Sequence, residues 1–286
     1  MIVEEELKDV ATKAGAQIVG IVAARGFDAQ APRGHRTGDA LVGAKSIIAF
    51  GGAESLSGAG RVPDHRLSRS NRTFPAVRRA VAARVAGYIE GKFGYESIFY
   101  DSGSSDGLNP LLSLKLAGEL GGLGTRSMAA GILLHKGYGL INISMTITTM
   151  PLIPDAPLED PVCPHPSCVE RWERLRTTPC LEACPECLSG ELENGRIKRL
   201  RYERYRCATR AQTTSTMSFQ RVLLEAMNEQ DPEKRKMIVL GNWFGRIVRS
   251  VAFGAELVGQ CAECLRDCPV QLRARRLVRK EIPKEN

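Results

Sequence analysis

The first 162 residues of this 286-residue chain contain no cysteine, yet nine follow, all between Cys163 and Cys268. No apolar run reaches the length of a membrane span, which argues against an integral helical membrane protein. The amino terminus, Met1-Ile2-Val3-Glu4-Glu5-Glu6, is acidic. It lacks the basic segment, apolar core and twin arginine of an export signal. The expected compartment is therefore the cytoplasm, where nine cysteines argue for metal ligation over disulfides. The four histidines, His35, His65, His135 and His165, are scattered and form no metal motif of their own. Low-complexity segments are absent, and the only internal repeat is in the cysteines.

What is present is ordinary for a globular protein, with 43% apolar and 25% charged residues. The length allows one large domain or two. The formal net charge of +8 is concentrated at residues 61–92, 196–210 and the C-terminal tail. Such patches suit nucleic acid, an acidic protein or a phosphate-bearing cofactor, and also suit a plain solvated face.

The first half alternates helix and strand signals. Residues 3–15 read as an amphipathic helix ending at Gly15, and Gln17–Ala23 as a buried strand. A loop with Pro32, Gly34 and Gly38 precedes a second strand, Ser46–Phe50. Residues 53–71 read as loop. Residues 74–92 read as a helix with an apolar stripe of Val77, Val81, Val85, Tyr88 and Ile89, leaving Arg78, Arg79 and Arg84 off it. Ser97–Tyr100 is a third strand, opening into the turn-rich segment Asp101–Gly107, and residues 110–120 a short helix. Leu140–Thr149 alternates most clearly: Ile141, Ile143, Met145 and Ile147 on one face, Asn142, Ser144, Thr146 and Thr148 on the other. That polar face is expected to line a cavity or meet solvent. Prolines 151, 154, 157, 161, 164 and 166 read as a linker, dividing domains at 1–155 and 156–286. Helices are expected at about residues 215–229 and 232–258.

The cysteines carry the chemistry. Cys180-x3-Cys184-Pro and Cys261-x2-Cys264-x3-Cys268-Pro repeat the tail of the bacterial ferredoxin run. In that run three cysteines hold one [4Fe–4S] cluster, and the Cys-Pro cysteine holds the other. Crossed pairing groups Cys163, Cys168, Cys180 and Cys268 around one cluster, and Cys184, Cys207, Cys261 and Cys264 around a second. Cys187, two residues beyond Cys184-Pro185, rivals Cys207 for its place. Zinc is the competing metal, but zinc ribbons use paired Cys-x2-Cys knuckles and give the x3-Cys-Pro tail no role.

The order of these motifs resembles the superfamily of epoxyqueuosine reductases and reductive dehalogenases. The resemblance spans roughly residues 40–270. It rests on Ala44–Phe50, Asp101-Ser102-Gly103, Ala117–Gly124 leading to Gly137-Tyr138-Gly139, Thr148–Leu152, and the isolated Arg206-Cys207 between cluster motifs, which favours Cys207 over Cys187. It implies an α+β protein: a nitroreductase-like α/β domain that binds cobalamin, then a ferredoxin-like domain with two [4Fe–4S] clusters. Electrons from a low-potential donor, a ferredoxin or flavodoxin, would pass through the clusters to the corrinoid cobalt. Gly122, Gly124, Arg126, Tyr138, Ser144 and Thr146 are the expected corrinoid contacts. Asp101 matches the proton-donating acid of epoxyqueuosine reductases; out of water it would have a raised pKa and act as general acid.

Three departures bear on the substrate. Asp106 is a second acid in the same loop. Thr125-Arg126-Ser127 replaces the family's Gly-Lys. One short basic helix after Cys268 stands where tRNA-acting members carry a helical repeat, so a small organic substrate competes with tRNA. In the dehalogenase branch a tyrosine beside a basic residue donates the proton, for which Tyr100 or Tyr138 with Arg126 are candidates. A third reading is an electron-transfer or corrinoid-reducing partner protein that turns over no small substrate.

Overall fold

The computed structural model describes residues 2–53, 73–101, 110–210, 216–241, 244 and 268–270. The chain opens with α1 (Val3–Lys13), whose acidic first turn and closing Lys13 complement the helix dipole. Gly15, at φ +113°, turns the chain into β1 (Ile18–Ala23). The expected loop then contains two short helices, α2 (Ala24–Asp28) and α3 (Thr37–Ala40), so Gly38 lies inside a helix. Next come β2 (Ser46–Ala53), α4 (Thr73–Phe93), β3 (Ser97–Tyr100) and α5 (Leu114–Leu120). The short β4 (Thr125–Arg126) and β5 (Leu133–His135) lead into the long β6 (Gly139–Thr148).

Every described pairing in this sheet is antiparallel. β6 is its spine: β2 runs along one edge, while β3 and β5 share the other. Both faces of the sheet are covered, and the two-residue period sorts its side chains between two cores. Ile47, Ala49, Ile141, Ile143, Met145 and Ile147 pack with Leu116 and Ala117 of α5. Ile48 and Phe50 pack with Val81, Val85 and Ile89 of α4 and Leu7 of α1.

Beyond the half-buried Asn142, the polar face of β6 is closed off from water. Ser144, Thr146 and Thr148 are fully buried under α4. Ser144 Oγ donates to the carbonyl of Arg78 at 3.0 Å, Thr146 Oγ1 to that of Ala82 at 2.9 Å, and Thr148 Oγ1 to that of Glu96 at 2.9 Å. A helical carbonyl keeps a second lone pair after its helix bond, so these hydroxyls are satisfied without breaking α4. The alternation was legible; what lay across from it was not.

The proline-rich segment after β6 is stitched down, unlike a free linker. Asp155 accepts from the Ile21 N–H at 2.8 Å and returns its own N–H to the Ile21 carbonyl at 2.9 Å, while Lys8 Nζ lies 2.8 Å from its other carboxylate oxygen. Val162 N–H donates to Thr125 Oγ1 at 2.8 Å. Pro166 then serves as the first residue of α6 (Pro166–Leu175).

Beyond it lie α7 (Pro179–Ala183), the hairpin β7 (Leu188–Glu193) and β8 (Arg196–Tyr202), then α8 (Arg204–Arg210), α9 (Thr216–Asn228) and α10 (Pro232–Leu240). The second expected helix after the hairpin ends at Leu240 among the described residues; residues 245–258 lie outside them. The hairpin went unread in the sequence although its signal is there: Asn194 and Gly195, at φ +50° and +71°, form the two-residue turn that Asn-Gly favours. Leu188 and Leu192 of the hairpin join Met128, Leu134 and Leu140 in a core that also contains Trp172 and several cysteines, so residues on both sides of position 155 build it. Among the described residues no helix is long and apolar enough to cross a membrane.

Candidate functional site

The strap after β6 delivers Cys163 beneath the turn that follows β4, where the Met128 N–H donates to its sulfur at 3.4 Å. On α6, capped by His165, Cys168 faces inward; Cys180 lies in the first turn of α7; Cys268 arrives from the far end of the chain. These four cysteines line one small apolar cavity, together with Ser127, Met128, Ala129 and Thr178. They are the four grouped around the first cluster by crossed pairing. Burial pushes the Cys163 thiol up to about 12, with the neighbouring Cys268, Cys180 and Cys168 adding to the shift and the Met128 N–H opposing it. Burial also pushes Cys168 up to about 11, and raises Cys180 against the opposing Thr178 hydrogen bond. Cys163, Cys168 and Cys180 thus resist ionisation until a cation sits among them. Among the described residues no group of three or more histidine, cysteine or acidic side chains is arranged to hold a lone metal ion.

Three more cysteines belong to the apolar core around this pocket. Cys184 and Cys187 are buried and Cys207 half-buried in the same apolar core. The Cys187 N–H donates to the Cys184 carbonyl, and Glu203 links Cys187 to Cys207 through successive backbone bonds of 2.9 and 3.0 Å. The rivals Cys187 and Cys207 are thus neighbours in space. Cys261 and Cys264 lie outside the described residues.

Asp101 is almost fully buried at the end of β3, only 1% exposed. Its carboxylate lies 3.2 Å from Arg79 Nε and 3.7 Å from Arg78 Nε. Arg78, expected off the apolar stripe, is itself buried, because Asp101 supplies the countercharge that admits it. Asp101 is therefore a tether between α4 and β3. The rest of the segment, Asp106 included, lies outside the described residues.

The expected corrinoid contacts do not converge on one surface. Ser144 and Thr146 are engaged under α4, as above. A Cβ on Gly122 (φ +72°) would stand 2.7 Å from the Ala156 carbonyl oxygen, and one on Gly124 2.7 Å from that of Leu134, so both glycines serve close backbone packing. Tyr138 stacks on His135 with centroids 4.9 Å apart. Its N–H and that of Gly137 donate to His135 Nδ1, and burial lowers the pKa of that imidazole. Arg126 alone of the six lines an open groove of about 460 Å³, along with Gln30, Pro32, His35, Ser113, Leu116 and Arg204. His35 Nδ1 lies 3.0 Å from the carbonyls of Pro110 and Leu111. Carbonyls only accept, so Nδ1 carries the proton in the neutral ring.

Three of the seven cations at 196–210 are paired: Lys198 with Glu193 and Arg199 with Glu191 across the hairpin, and Arg201 with Glu203 two residues on, each at 2.6 Å. The sequence showed the cations but not the two cross-strand pairs.

Solved structures share this architecture. The structure of epoxyqueuosine reductase from Bacillus subtilis, with its catalytic aspartate loop swung out of the active site, matches with a TM-score of 0.54 at 18% identity, over 94% of this chain and 65% of that one. Selenomethionine-labelled epoxyqueuosine reductase gives 0.51 at 18% identity, over 94% and 66%. The fold is that of these reductases. A reductive dehalogenase described as performing B12-dependent dehalogenation matches at 0.40 and 15% identity, over 84% and 41%, too distant to weigh. The chain spans 57–67% of the length of the epoxyqueuosine reductase structures it matches. No protein-family model and no curated protein sequence matches it.

Proposed function

We propose that this chain is an iron–sulfur, cobalamin-dependent oxidoreductase of the epoxyqueuosine reductase type, with two [4Fe–4S] clusters passing electrons toward a corrinoid. The observation that carries the reading is the cavity walled by Cys163, Cys168, Cys180 and Cys268. A [4Fe–4S] cluster binds each thiolate through a different iron and fills the space between them, whereas zinc draws four sulfurs to about 2.3 Å from one point. The buried Cys168, Cys180 and Cys268 and the half-buried Cys163 around one apolar pocket support the cluster. Cys184, Cys207, Cys261 and Cys264 remain the proposed ligands of the second.

For the corrinoid, the open groove fits better than the strand face. Its apolar floor of Ala31, Pro32 and Leu116, edged by Gln30, His35, Ser113, Arg126 and Arg204, is the mixture that binds organic cofactors. Arg126 and Arg204 would hold polar groups at the cofactor's edge, and the Nε2 of His35 would accept a hydrogen bond. When bound, the corrinoid supplies low-valent cobalt as the reductant. The buried ion pairs of Asp101 weigh toward a positioning role for that residue.

The test is anaerobic purification with iron, sulfide and cobalt counts. About eight irons, eight sulfides and uptake of one cobalamin support the reading. Zinc in place of iron removes it, and eight irons with no cobalamin uptake leave the electron-transfer reading, in which the chain reduces a partner. Substrate, electron donor and compartment follow the same proposal: a low-potential ferredoxin or flavodoxin, a small organic or tRNA substrate, and the cytoplasm.

A further inference from the structure

The inference rests on the iron–sulfur reading and concerns Thr178. This residue is the N-cap of α7, and its carbonyl accepts from the Glu182 N–H at 3.0 Å. A threonine at this position normally turns its hydroxyl onto a backbone N–H of the first turn. Here the side chain makes no capping bond. Its Oγ1 instead lies 3.2 Å from the sulfur of Cys180, with Thr178 only 2% exposed and both residues lining the cysteine cavity. The Leu181 N–H, among the donors a capping hydroxyl would engage, also faces that sulfur. Both neighbouring donors are therefore aimed at Cys180.

In the free thiol either atom can donate. A thiolate bound to iron has no proton, so the hydroxyl must then be the donor. Reduction adds one electron to the cluster and increases the negative charge on its sulfurs, so a donor at that sulfur favours the reduced form, an effect strongest where water is excluded. No bond breaks in this step: the electron comes from an external one-electron reductant, and the proton stays on Oγ1.

We propose that Thr178 is a positioning residue that donates to the Cys180 sulfur and holds the first cluster's reduction potential above the value an apolar side chain would allow. Because the hydroxyl does not cap α7, Thr178→Val removes the bond to sulfur without removing a helix cap.

The experiment is dye-mediated potentiometry of the anaerobically purified holoprotein, reduced with dithionite and followed by EPR, with iron and sulfide counted for each variant. In T178V one cluster potential moves to a more negative value and the other stays; T178S restores the wild-type pair. Full iron content in T178V with both potentials unchanged overturns the proposal. So does a shift that T178S reproduces, since a retained hydroxyl should retain the effect. If T178V fails to assemble its cluster, T178A removes the same hydroxyl with a smaller side chain and decides by the same criteria. A wild-type protein without iron fails the iron–sulfur reading itself and is recognised before any variant is measured.

Discussion

Arg126 and Ser127, neighbours in the chain, stand on opposite sides of one wall: Arg126 lines the open groove and Ser127 the cysteine cavity. The groove and the cysteine cavity therefore share one short segment of chain as lining.

Arg126→Ala tests the groove. The residue is 43% exposed, and its pair with Glu119 contributes at most about 1 kcal/mol to stability. Iron content should hold and thermal unfolding should shift little. Cobalamin affinity, read from the visible spectrum, should fall about tenfold or more, as expected for a lost charge-assisted hydrogen bond. Unchanged affinity would place the corrinoid elsewhere.

Cysteine substitutions test the crossed wiring. Cys163→Ser and Cys268→Ser, far apart in sequence but on one cavity, should each lower the iron content from about eight to about four and abolish the same EPR signal. Cys184→Ser should spare that signal and remove the other. Loss of different signals in the first two variants would refute the pairing.

Asp101→Asn should destabilise the fold by roughly 1–3 kcal/mol in urea unfolding, because it weakens a buried pair with Arg78 while the Arg79 pair is partly screened. Coupling to Arg79→Met in a double-mutant cycle should be nonzero and about 1 kcal/mol. Full stability with abolished turnover would restore Asp101 as the acid.

Ser144→Ala and Thr146→Val should each cost about 0.5–2 kcal/mol in stability by removing a buried hydroxyl bond to α4, and neither should change cobalamin uptake. A selective loss of cofactor binding would return the strand face to the site.

The metal-free protein should lose stability as pH rises above 9. The Cys163 thiol ionises from 9.0 when unfolded but only at about 12 in the fold, so between those values the folded chain keeps a proton that the unfolded chain has released. Cys168, at about 11, acts in the same direction. Urea midpoints should decline across this range in metal-free wild type, and less steeply in a Cys163→Ser variant.

The elements most legible in the sequence were those governed by local rules. The alternation of Leu140–Thr149 marked β6, the stripe at Val81, Val85 and Ile89 marked α4, and the cysteine spacing grouped Cys163, Cys168, Cys180 and Cys268, which line one pocket. The Asn194-Gly195 turn was equally legible, within a stretch whose charges look in sequence like a basic patch. The expected corrinoid contacts Gly122, Gly124, Ser144 and Thr146 have structural roles of their own. A glycine required by a neighbouring carbonyl, as at Gly122 and Gly124, looks in sequence like a glycine required by a ligand.

Residue type and spacing were enough for the α+β elements, because backbone periodicity acts within a few residues of chain. They did not reveal that α4 would close over Ser144 and Thr146, that Asp101 would admit Arg78 to the interior, or that Met128 and Thr178 would face cysteine sulfurs. Those are contacts between segments distant in the chain or side-chain directions set by packing. Burial decides them, since a polar group removed from water takes whichever partner the assembled fold brings within reach.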